Sequence, residues 1–589
     1  MRVGVDTGGT FTDLVSDTGD VAKVASTPRD PADAIRTVIG SLEVRPRLLA
    51  HGTTVATNAL LQRSGGVVAL YTTAGFADVV EIARQVRPSL YDLDANRPPP
   101  LVAREHRIEV AERLDAEGRE ITAVGPVGDL PPGAEVAAVC LLHADLDPAH
   151  EKAVAHELMS RGIDVTCSHE VSPEFREYER TVTTVANAML RPVCRSYLAS
   201  IGSLADEVLV MTSAGGLVPA EVAAELPAAL LLSGPAGGVR AAAAVAGACG
   251  YGDAVSFDMG GTSTDVCLIR NGVPEPAPSR VVAGYPIRLP ALDVHTIGAG
   301  GGSIARIDPG GALVVGPESS GAEPGPAAYG RGGDRPTVTD ADLVLGRIPL
   351  DGLESLGRLD AAAARRALDR AGAPAEGVVA VVDAAMQRAV RAVTVERGVD
   401  PRDVALVAFG GAGPLHACSI ADGLDMNAVL VPPRAGVLSA VGLVCSPHQR
   451  ELVRSWPHRD RREGLARALE DLAAEVAAEV GESAEVETSV DCRYVGQSHE
   501  LTVETPDAFH AEHGRRNGYE RPDESVEVVA LRARARLPAP LAPEELPDVA
   551  RGVVTGPAVV AEADATMYVP DGWRAVPEAL GTWVLRRTS

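Results

Sequence analysis

Short apolar runs alternate with stretches of helical period through the first 175 residues. Residues 66–73 (GVVALYTT) and 135–142 (EVAAVCLL) have the length and content of buried strands. Residues 31–43 and 149–162 show apolar residues at helical spacing. This alternation predicts an α/β architecture.

The pattern changes near residue 175, and these changes predict three domains. A long helical stretch at 175–201 leads into a second region, which contains a strand at 404–409 and a Gly/Pro-rich tract at 298–333. A tract of that length without regular periodicity is often functional. Residues 446–464 are polar and predict a crossover. We therefore expect an N-terminal lobe (1–175), a central lobe (176–450) and a smaller C-terminal α+β domain (451–589).

Composition and charge narrow the class of partner. The 589 residues are 46% hydrophobic and 23% charged, with a formal net charge of −26. Such an acidic surface disfavours nucleic acids and anionic membranes as partners. Eight cysteines without a C-x-x-C pair predict reduced thiols in a cytoplasmic protein. The N-terminus lacks the apolar region of a signal peptide, and neither lysine of the chain lies in a P-loop.

One motif occurs twice. Asp6–Asp13 (DTGGTFTD) and Asp258–Asp265 (DMGGTSTD) agree at six of eight positions, and both follow an apolar run. A Gly-Gly turn leaves backbone N–H groups open to an anion, and Thr hydroxyls add donors. An Asp at the strand end can hold Mg²⁺. Two such turns, on two facing lobes, would hold the phosphates of ATP from both sides, whereas a single copy would equally suit an ordinary hairpin.

A third element fits the same site. The strand at 404–409 is followed by a glycine turn at 410–413 and a helix pattern from Pro414. Such a turn allows a nucleoside to approach the backbone closely.

These three elements resemble the phosphate 1, phosphate 2 and adenosine motifs of the actin-like ATPase superfamily. More narrowly, the chain is similar to the hydantoinase A / 5-oxoprolinase family. The resemblance rests on stretches that include HGTTVATNALLQR, ARQVRPSLYDLD, REYERTVTTVANAMLRP, SGPAGGV, DVHTIGAGGGSIA, AFGGAGPLHA, RYVGQSHEL and GPAVVAEADAT. It extends from residue 3 to about 566, and the C-terminal domain is shorter than the family pattern.

The resemblance implies a two-lobed actin-like (ribonuclease H-like) core that uses ATP with Mg²⁺, or Mn²⁺ in its place. It implies hydrolysis of a cyclic amide such as a hydantoin, N-methylhydantoin or 5-oxoproline. Phosphorylation of the amide oxygen activates a carbonyl that is otherwise a poor electrophile. The implied partner is a hydantoinase B-type subunit, in a cytoplasmic hetero-oligomer. The alternative is a subunit of an acetone or acetophenone carboxylase that phosphorylates bicarbonate or a ketone enol.

Candidate residues follow from the motifs. Asp6 and Asp258 are the predicted metal-holding and catalytic residues, with Asp258 also a candidate general base. The predicted phosphate and nucleoside contacts are Gly8, Gly9, Thr10, Thr12, Gly260, Gly261, Thr262, Gly410, Gly411 and Ala412. For Thr12, Asp13, Thr264 and Asp265, bracing of the hairpins is the favoured role.

Substrate contacts are assigned from three further stretches. His51, Thr53 and Thr54 precede a predicted helix, so substrate binding and helix capping are equal alternatives. Arg84 and Arg87 could pair with a carboxylate or carbonyl substrate, or form salt bridges in a loop. Gly300 and Gly301 belong to a loop, 298–303, that we expect to hold an anion in the cleft.

Overall fold

The computed structural model describes residues 1–27, 30–92, 94–351 and 357–588. The first 175 residues form strands β1 (Arg2–Thr7), β2 (Phe11–Ser16), β3 (Val21–Ala25), β4 (Leu48–Thr53), β5 (Val68–Thr73), β6 (Arg107–Val110), β7 (Arg113–Leu114), β8 (Glu120–Thr122), β9 (Val136–Cys140) and β10 (Asp164–Cys167). Their helices are α1 (Pro31–Gly40), α2 (Val55–Gln62), α3 (Val79–Ile82), α4 (Ala149–Ser160) and α5 (Ser168–Val171).

The middle of the chain continues with strands and helices in alternation. Its strands are β11 (Glu207–Met211), β12 (Leu217–Pro219), β13 (Ala254–Met259), β14 (Thr264–Arg270), β15 (Val273–Pro274), β16 (Pro276–Ala277), β17 (Arg280–Val282), β18 (Tyr285–Ile287), β19 (Ala291–Leu292), β20 (Val294–Ile297), β21 (Ser303–Ile307), β22 (Leu313–Ser319), β23 (Ala405–Phe409), β24 (Val429–Val431) and β25 (His448–Ser455). Its helices are α6 (Glu177–Ile201), α7 (Ala220–Glu225), α8 (Gly234–Ala248), α9 (Val338–Val344), α10 (Ala361–Ala371), α11 (Ala375–Val393), α12 (Gly413–Gly423) and α13 (Leu438–Val444).

The remaining elements lie in the C-terminal part. They are β26 (Glu485–Tyr494), β27 (Leu501–Val503), β28 (Val526–Leu537), β29 (Val554–Thr555), β30 (Ala558–Ala561), β31 (Thr566–Val569), β32 (Trp573–Pro577) and β33 (Trp583–Arg587), with helices α14 (Leu465–Val480) and α15 (Phe509–Asn517). No helix among the described residues combines the length and apolarity that a membrane span requires.

Two large sheets form the centres of two lobes. The first has the strand order β27-β26-β28-β25-β12-β11-β4-β1-β2-β3, and the second has β15-β14-β13-β23-β24-β33-β32-β29 with β20 beside β14. In each, an antiparallel hairpin (β1–β2 or β13–β14) lies next to a parallel strand (β4 or β23). Helices cover the sheets, so the predicted α/β class is confirmed.

The lobes meet along α8 and α13. A Cβ atom on Gly442 of α13 would lie 1.8 Å from the carbonyl oxygen of Gly237 on α8, so the two helix backbones approach closely. On its other side, α13 packs on β1, where a Cβ on Gly4 would lie 2.0 Å from the carbonyl oxygen of Ala440. Only glycine allows these approaches. The contacts fix the position of one hairpin relative to the other lobe.

The C-terminal part extends both sheets. Strands β26, β27 and β28 join the first sheet through β25, and β29, β32 and β33 join the second. The polar crossover predicted at 446–464 is wrong in its first half, because β25 pairs with β28 over eight residues. On β25, Arg450 and Arg454 form salt bridges with Glu479 and Glu475 of α14. These ion pairs explain why this strand lacks a continuous apolar face. The predicted boundary at residue 450 falls inside β25, and the division at 175 and 450 stays a prediction.

Candidate functional site

The two copies of the motif form hairpins of identical register. Asp6 lies opposite Asp13 and Asp258 opposite Asp265, and each pair occupies the same place relative to its turn. The turns close with the same hydrogen bond, since Gly8 N–H donates to Phe11 O and Gly260 N–H to Ser263 O, both at 3.0 Å. The sequence repeat is therefore a structural repeat.

Both turns face one cavity of about 810 Å³ between the lobes. The predicted contact residues that line it are Gly8, Gly9, Thr10, Gly260, Gly261, Thr262, Gly410, Gly411 and Ala412, together with Asp6 and Asp258. Thr12 is the exception, because it is buried and its Oγ1 lies 3.1 Å from Oγ of Ser26. Thr264 likewise donates to Ala299 O at 2.7 Å. Both threonines brace their hairpins, and the cavity has the size of a small-molecule site.

The two aspartates carry perturbed acidities. Burial, followed by the charge of Asp265 and then of Asp6, raises the pKa of Asp258 to about 8. Burial, with Asp13 as the second cause, raises the pKa of Asp6 to about 7. Buried carboxylates that repel one another gain from a cation placed between them, which is the environment that a divalent metal bound to oxygen ligands requires. Asp6 and Asp258 therefore fit the predicted metal.

A glycine lies beside each of these carboxylates. On the parallel strand next to Asp6, a Cβ on Gly52 would lie 2.7 Å from Asp6 Oδ1. Immediately after the equivalent strand, which pairs Phe409 with Asp258, a Cβ on Gly410 would lie 2.3 Å from Asp258 Oδ1. Gly52 is equivalent to Phe409 in register, so the two glycines are offset by one residue, and both lie where the parallel strand beside each hairpin ends.

Gly410→Ala should lower the free energy of unfolding by about 1–3 kcal/mol and weaken nucleotide binding. Gly410 has φ of +78°, which an alanine adopts only with strain, and the new methyl group would displace the Asp258 carboxylate. Denaturant titration and nucleotide titration measure the two effects. Gly411→Ala is the matched control for stability, because a Cβ there meets nothing within 4 Å. Equal losses of unfolding free energy in the two variants would contradict this account of Gly410.

The first predicted substrate stretch divides between the core and the cavity. His51 is fully buried, with Nδ1 2.9 Å from Val5 O and Nε2 2.7 Å from the Tyr197 hydroxyl, and burial lowers its pKa to about 4. Thr53 Oγ1 accepts from the N–H of Val55, the first residue of α2, at 3.2 Å, while the N-cap residue Thr54 makes no side-chain capping bond. Thr54 lines the cavity. His51 lies within the buried strand β4. From the sequence, the polarity of this single residue did not reveal that its side chain lies in the core.

The two arginines lie outside the cavity. Arg84 forms a salt bridge with Glu179, which is the alternative of a paired loop residue, and Arg87 is exposed. Gly300 and Gly301 lie behind the second turn. Gly301 N–H donates to Gly260 O at 3.0 Å and Gly302 N–H to Gly261 O at 2.6 Å, while Gly300 N–H donates to Ser303 Oγ at 2.9 Å. The loop 298–303 therefore supports the turn, and Gly301 also lines the cavity.

Several lining residues were not predicted. The cavity also includes Lys23, Asn58, Tyr329, Asp564 and Thr566. Asp564 Oδ2 accepts from Gly436 N–H at 2.8 Å, so the C-terminal hairpin β30–β31 closes one wall. For Lys23 the sequence contains one indication of a special role, since it is one of only two lysines among the 54 lysine and arginine residues.

Two lobes that each present a hairpin turn to a shared cavity define the actin-like fold class. The family model of the hydantoinase/oxoprolinase N-terminal region matches residues 2–162. The hydantoinase/oxoprolinase family model matches residues 180–451. The caprolactamase subunit alpha of Pseudomonas jessenii is 33% identical over 99% of this chain and 99% of its own length. The chain belongs to the hydantoinase/oxoprolinase family.

Two further relatives extend the comparison. The crystal structure of the ATP-dependent caprolactamase from Pseudomonas jessenii has a TM-score of 0.88 and 30% identity, covering all of both chains. The acetophenone carboxylase gamma subunit of Aromatoleum aromaticum is 32% identical over 75% of this chain and 67% of its own length. The family thus includes relatives of both kinds that the sequence suggested.

Proposed function

We propose that this chain is the ATP-binding subunit of an ATP-dependent cyclic amide hydrolase. The observation that carries the proposal is the pair of hairpin turns of identical register, with Asp6 and Asp258 at their bases, facing one cavity. Backbone N–H groups of the Gly-Gly turns are suited to phosphate oxygens. The full-length similarity to an ATP-dependent caprolactamase supports both the nucleotide and the substrate class.

The proposed chemistry begins with phosphoryl transfer. The amide oxygen attacks the γ-phosphorus of ATP, the bond to the β,γ-bridging oxygen breaks, and ADP leaves. The carbonyl carbon is then bonded to a phosphorylated oxygen. Water adds to this carbon, the ring C–N bond breaks to leave an acyl phosphate and the free amine, and a second water hydrolyses the acyl phosphate to the carboxylate and inorganic phosphate. A divalent cation held by Asp6 and Asp258 would neutralise phosphate charge. Asp258, which faces the same cavity, is assigned to accept the proton that the amide nitrogen loses.

The proposal extends to the assembly. A hydantoinase B-type subunit would carry out ring opening on the activated amide, and such a partner is supported by the caprolactamase relative, which is an alpha subunit. A cytoplasmic location is supported by eight cysteines that are all free thiols, since a reducing compartment keeps them so.

The second candidate is a carboxylase subunit that phosphorylates bicarbonate or a ketone enol. The similarity to an acetophenone carboxylase subunit favours it. The two candidates differ in the acceptor of the phosphoryl group, and therefore in which compound stimulates ADP release.

ADP release by this chain, with and without its B-type subunit, tests the proposal. We expect release to rise with one member of a panel of 5-oxoproline, hydantoins and simple lactams, and to disappear in Asp6→Asn. A response to bicarbonate with a ketone and to no lactam would overturn the proposal in favour of the carboxylase. ATP turnover that no panel member changes would overturn both.

A further inference from the structure

Lys23 occupies a defined position at the edge of the cavity. It lies on β3 directly opposite Asp13, which in turn lies opposite Asp6, so the three residues form a row across three strands. Its Nζ is 2.8 Å from Asp13 Oδ1 and donates to Gly436 O at 3.3 Å. The ammonium also lies over the ring of Phe11, 5.2 Å from the centroid. These contacts hold the cation in place, and its side chain is 19% exposed.

The Lys23 ammonium has one N–H donor more than these hydrogen bonds use. A lysine carries three N–H donors, and Lys23 makes two hydrogen bonds, to Asp13 Oδ2 at 3.0 Å and to Gly436 O at 3.3 Å. Since Lys23 also lines the cavity, the remaining donor is available to a ligand there. The contact with Gly436, which also lines the cavity, joins β3 to the segment before α13.

The cavity lining has an excess of negative charge, so a negatively charged nucleotide would be stabilised by a cationic donor such as Lys23. Its lining contains four carboxylates, at Asp6, Asp13, Asp258 and Asp564. Among the lining residues that the structure describes, Lys23 is the one basic side chain. A nucleotide triphosphate would add several negative charges, and a divalent cation offsets only part of them.

The choice of lysine is itself informative. Only two of the 54 basic residues are lysines, so arginine is used almost everywhere that a positive charge suffices. An ammonium is a compact point charge, whereas a guanidinium is a planar fork that needs more room. The space between Asp13, Gly436 and the Phe11 ring suits the smaller group.

We propose that Lys23 is a catalytic residue that donates to the γ-phosphoryl group of the nucleotide during transfer, an inference that rests on the proposed use of ATP. In the free protein Asp13 is its counter-ion. During transfer the third N–H contacts a γ-phosphoryl oxygen, while Asp13 and Gly436 keep the ammonium oriented. A donor placed in this way contributes mainly to the rate of transfer and little to the binding of ADP.

Lys23→Met tests the role kinetically. We expect kcat for ADP formation to fall about 10²–10³-fold, with the affinity for ADP changed less than about threefold. Lys152→Met is the matched control, since it removes the other lysine, which is exposed on α4 and lies outside this cavity. A kcat within threefold of the control, or an equal loss of ADP affinity, would overturn the proposal.

Chemical labelling gives a readout that needs neither turnover nor a substitution in the site. In Lys152→Arg, Lys23 is the sole lysine, and pyridoxal 5′-phosphate with borohydride would label it at the cavity. We expect MgATP to protect Lys23 strongly and MgADP weakly, as measured by peptide mass, with the labelled N-terminal amine as an internal reference. Equal protection by the two nucleotides, or none, would contradict a contact with the γ-phosphoryl group. Protection of Lys23 without any amide-stimulated ADP release would preserve this inference while the proposed substrate class fails.

Discussion

Asp258→Asn is expected to lower kcat for amide-stimulated ADP formation by about 10³-fold or more. The asparagine keeps the shape of the carboxylate in its half-buried position beside Gly410, so the fold should persist. It removes the negative charge that would hold a divalent cation, and it removes the proton acceptor. Steady-state ADP formation measures the change, and nucleotide binding shows that the cavity remains intact.

The pH profile separates the role of Asp258 from a general structural effect. Its pKa is raised to about 8 by burial and by Asp265, so the free enzyme gains the carboxylate form as pH rises through that value. Asp6 ionises in the same way near pH 7. In the wild type, kcat/KM for ATP should therefore rise with pH between about 6 and 8. The residual activity of Asp258→Asn should lack the upper part of this rise.

Asp369→Asn provides the control for the same chemical change on the surface. Asp369 is exposed on α10, outside the cavity, so its substitution should leave both kcat and the pH profile unchanged. If Asp258→Asn retained a tenth or more of the wild-type kcat, Asp258 would be a structural residue of the turn and the assignment would fall.

The sequence predicts the hairpins well because their information is local. The end of one strand, two glycines and the start of the returning strand lie within eight residues, and glycine has no Cβ to obstruct a tight turn. The repetition of the motif then implied two lobes facing one ligand. The same reasoning placed Gly410 at the cavity, because a strand followed by a glycine turn and a helix also folds locally.

Residues that reach the cavity from distant parts of the chain could not be placed in this way. Asp564 lies in the turn of the hairpin β30–β31 and Thr566 begins its second strand, and no local pattern shows that this hairpin packs beside Gly436. His51 illustrates the opposite case, since a polar residue within β4 is turned inward to Tyr197. Burial of a polar group depends on partners that are remote in sequence.

A buried histidine anchors the helix that follows the Gly410–Ala412 turn. His416 of α12 has no exposed surface, and its Nδ1 lies 2.7 Å from Asp383 Oδ1 on α11. Its Nε2 lies 3.2 Å from Asp342 Oδ2 on α9. Burial alone would lower the pKa of His416, but the two carboxylates outweigh it and raise the pKa to about 10. At neutral pH an imidazolium therefore connects three helices.

His416→Leu is expected to lower the free energy of unfolding by about 3–5 kcal/mol at pH 7, the cost of leaving buried charges without a partner. Because the folded pKa is above the unfolded value of 6.5, the stabilisation is complete below pH 6.5 and is lost as pH rises through 10. The difference in unfolding free energy between wild type and variant should therefore shrink between pH 7 and pH 10. Denaturant unfolding at both values measures it.

A surface histidine provides the control for His416→Leu. His499 is exposed, so His499→Leu should change the unfolding free energy by less than about 0.5 kcal/mol.

Leu415, the neighbour of His416, lines the cavity, and Thr339 at the start of α9 lines it as well. Loss of the imidazolium should therefore also weaken nucleotide binding, because it loosens α12 and α9 behind the nucleoside contacts. Wild-type stability in His416→Leu at pH 7 would show that the carboxylates are protonated, and that the helices are held by apolar packing alone.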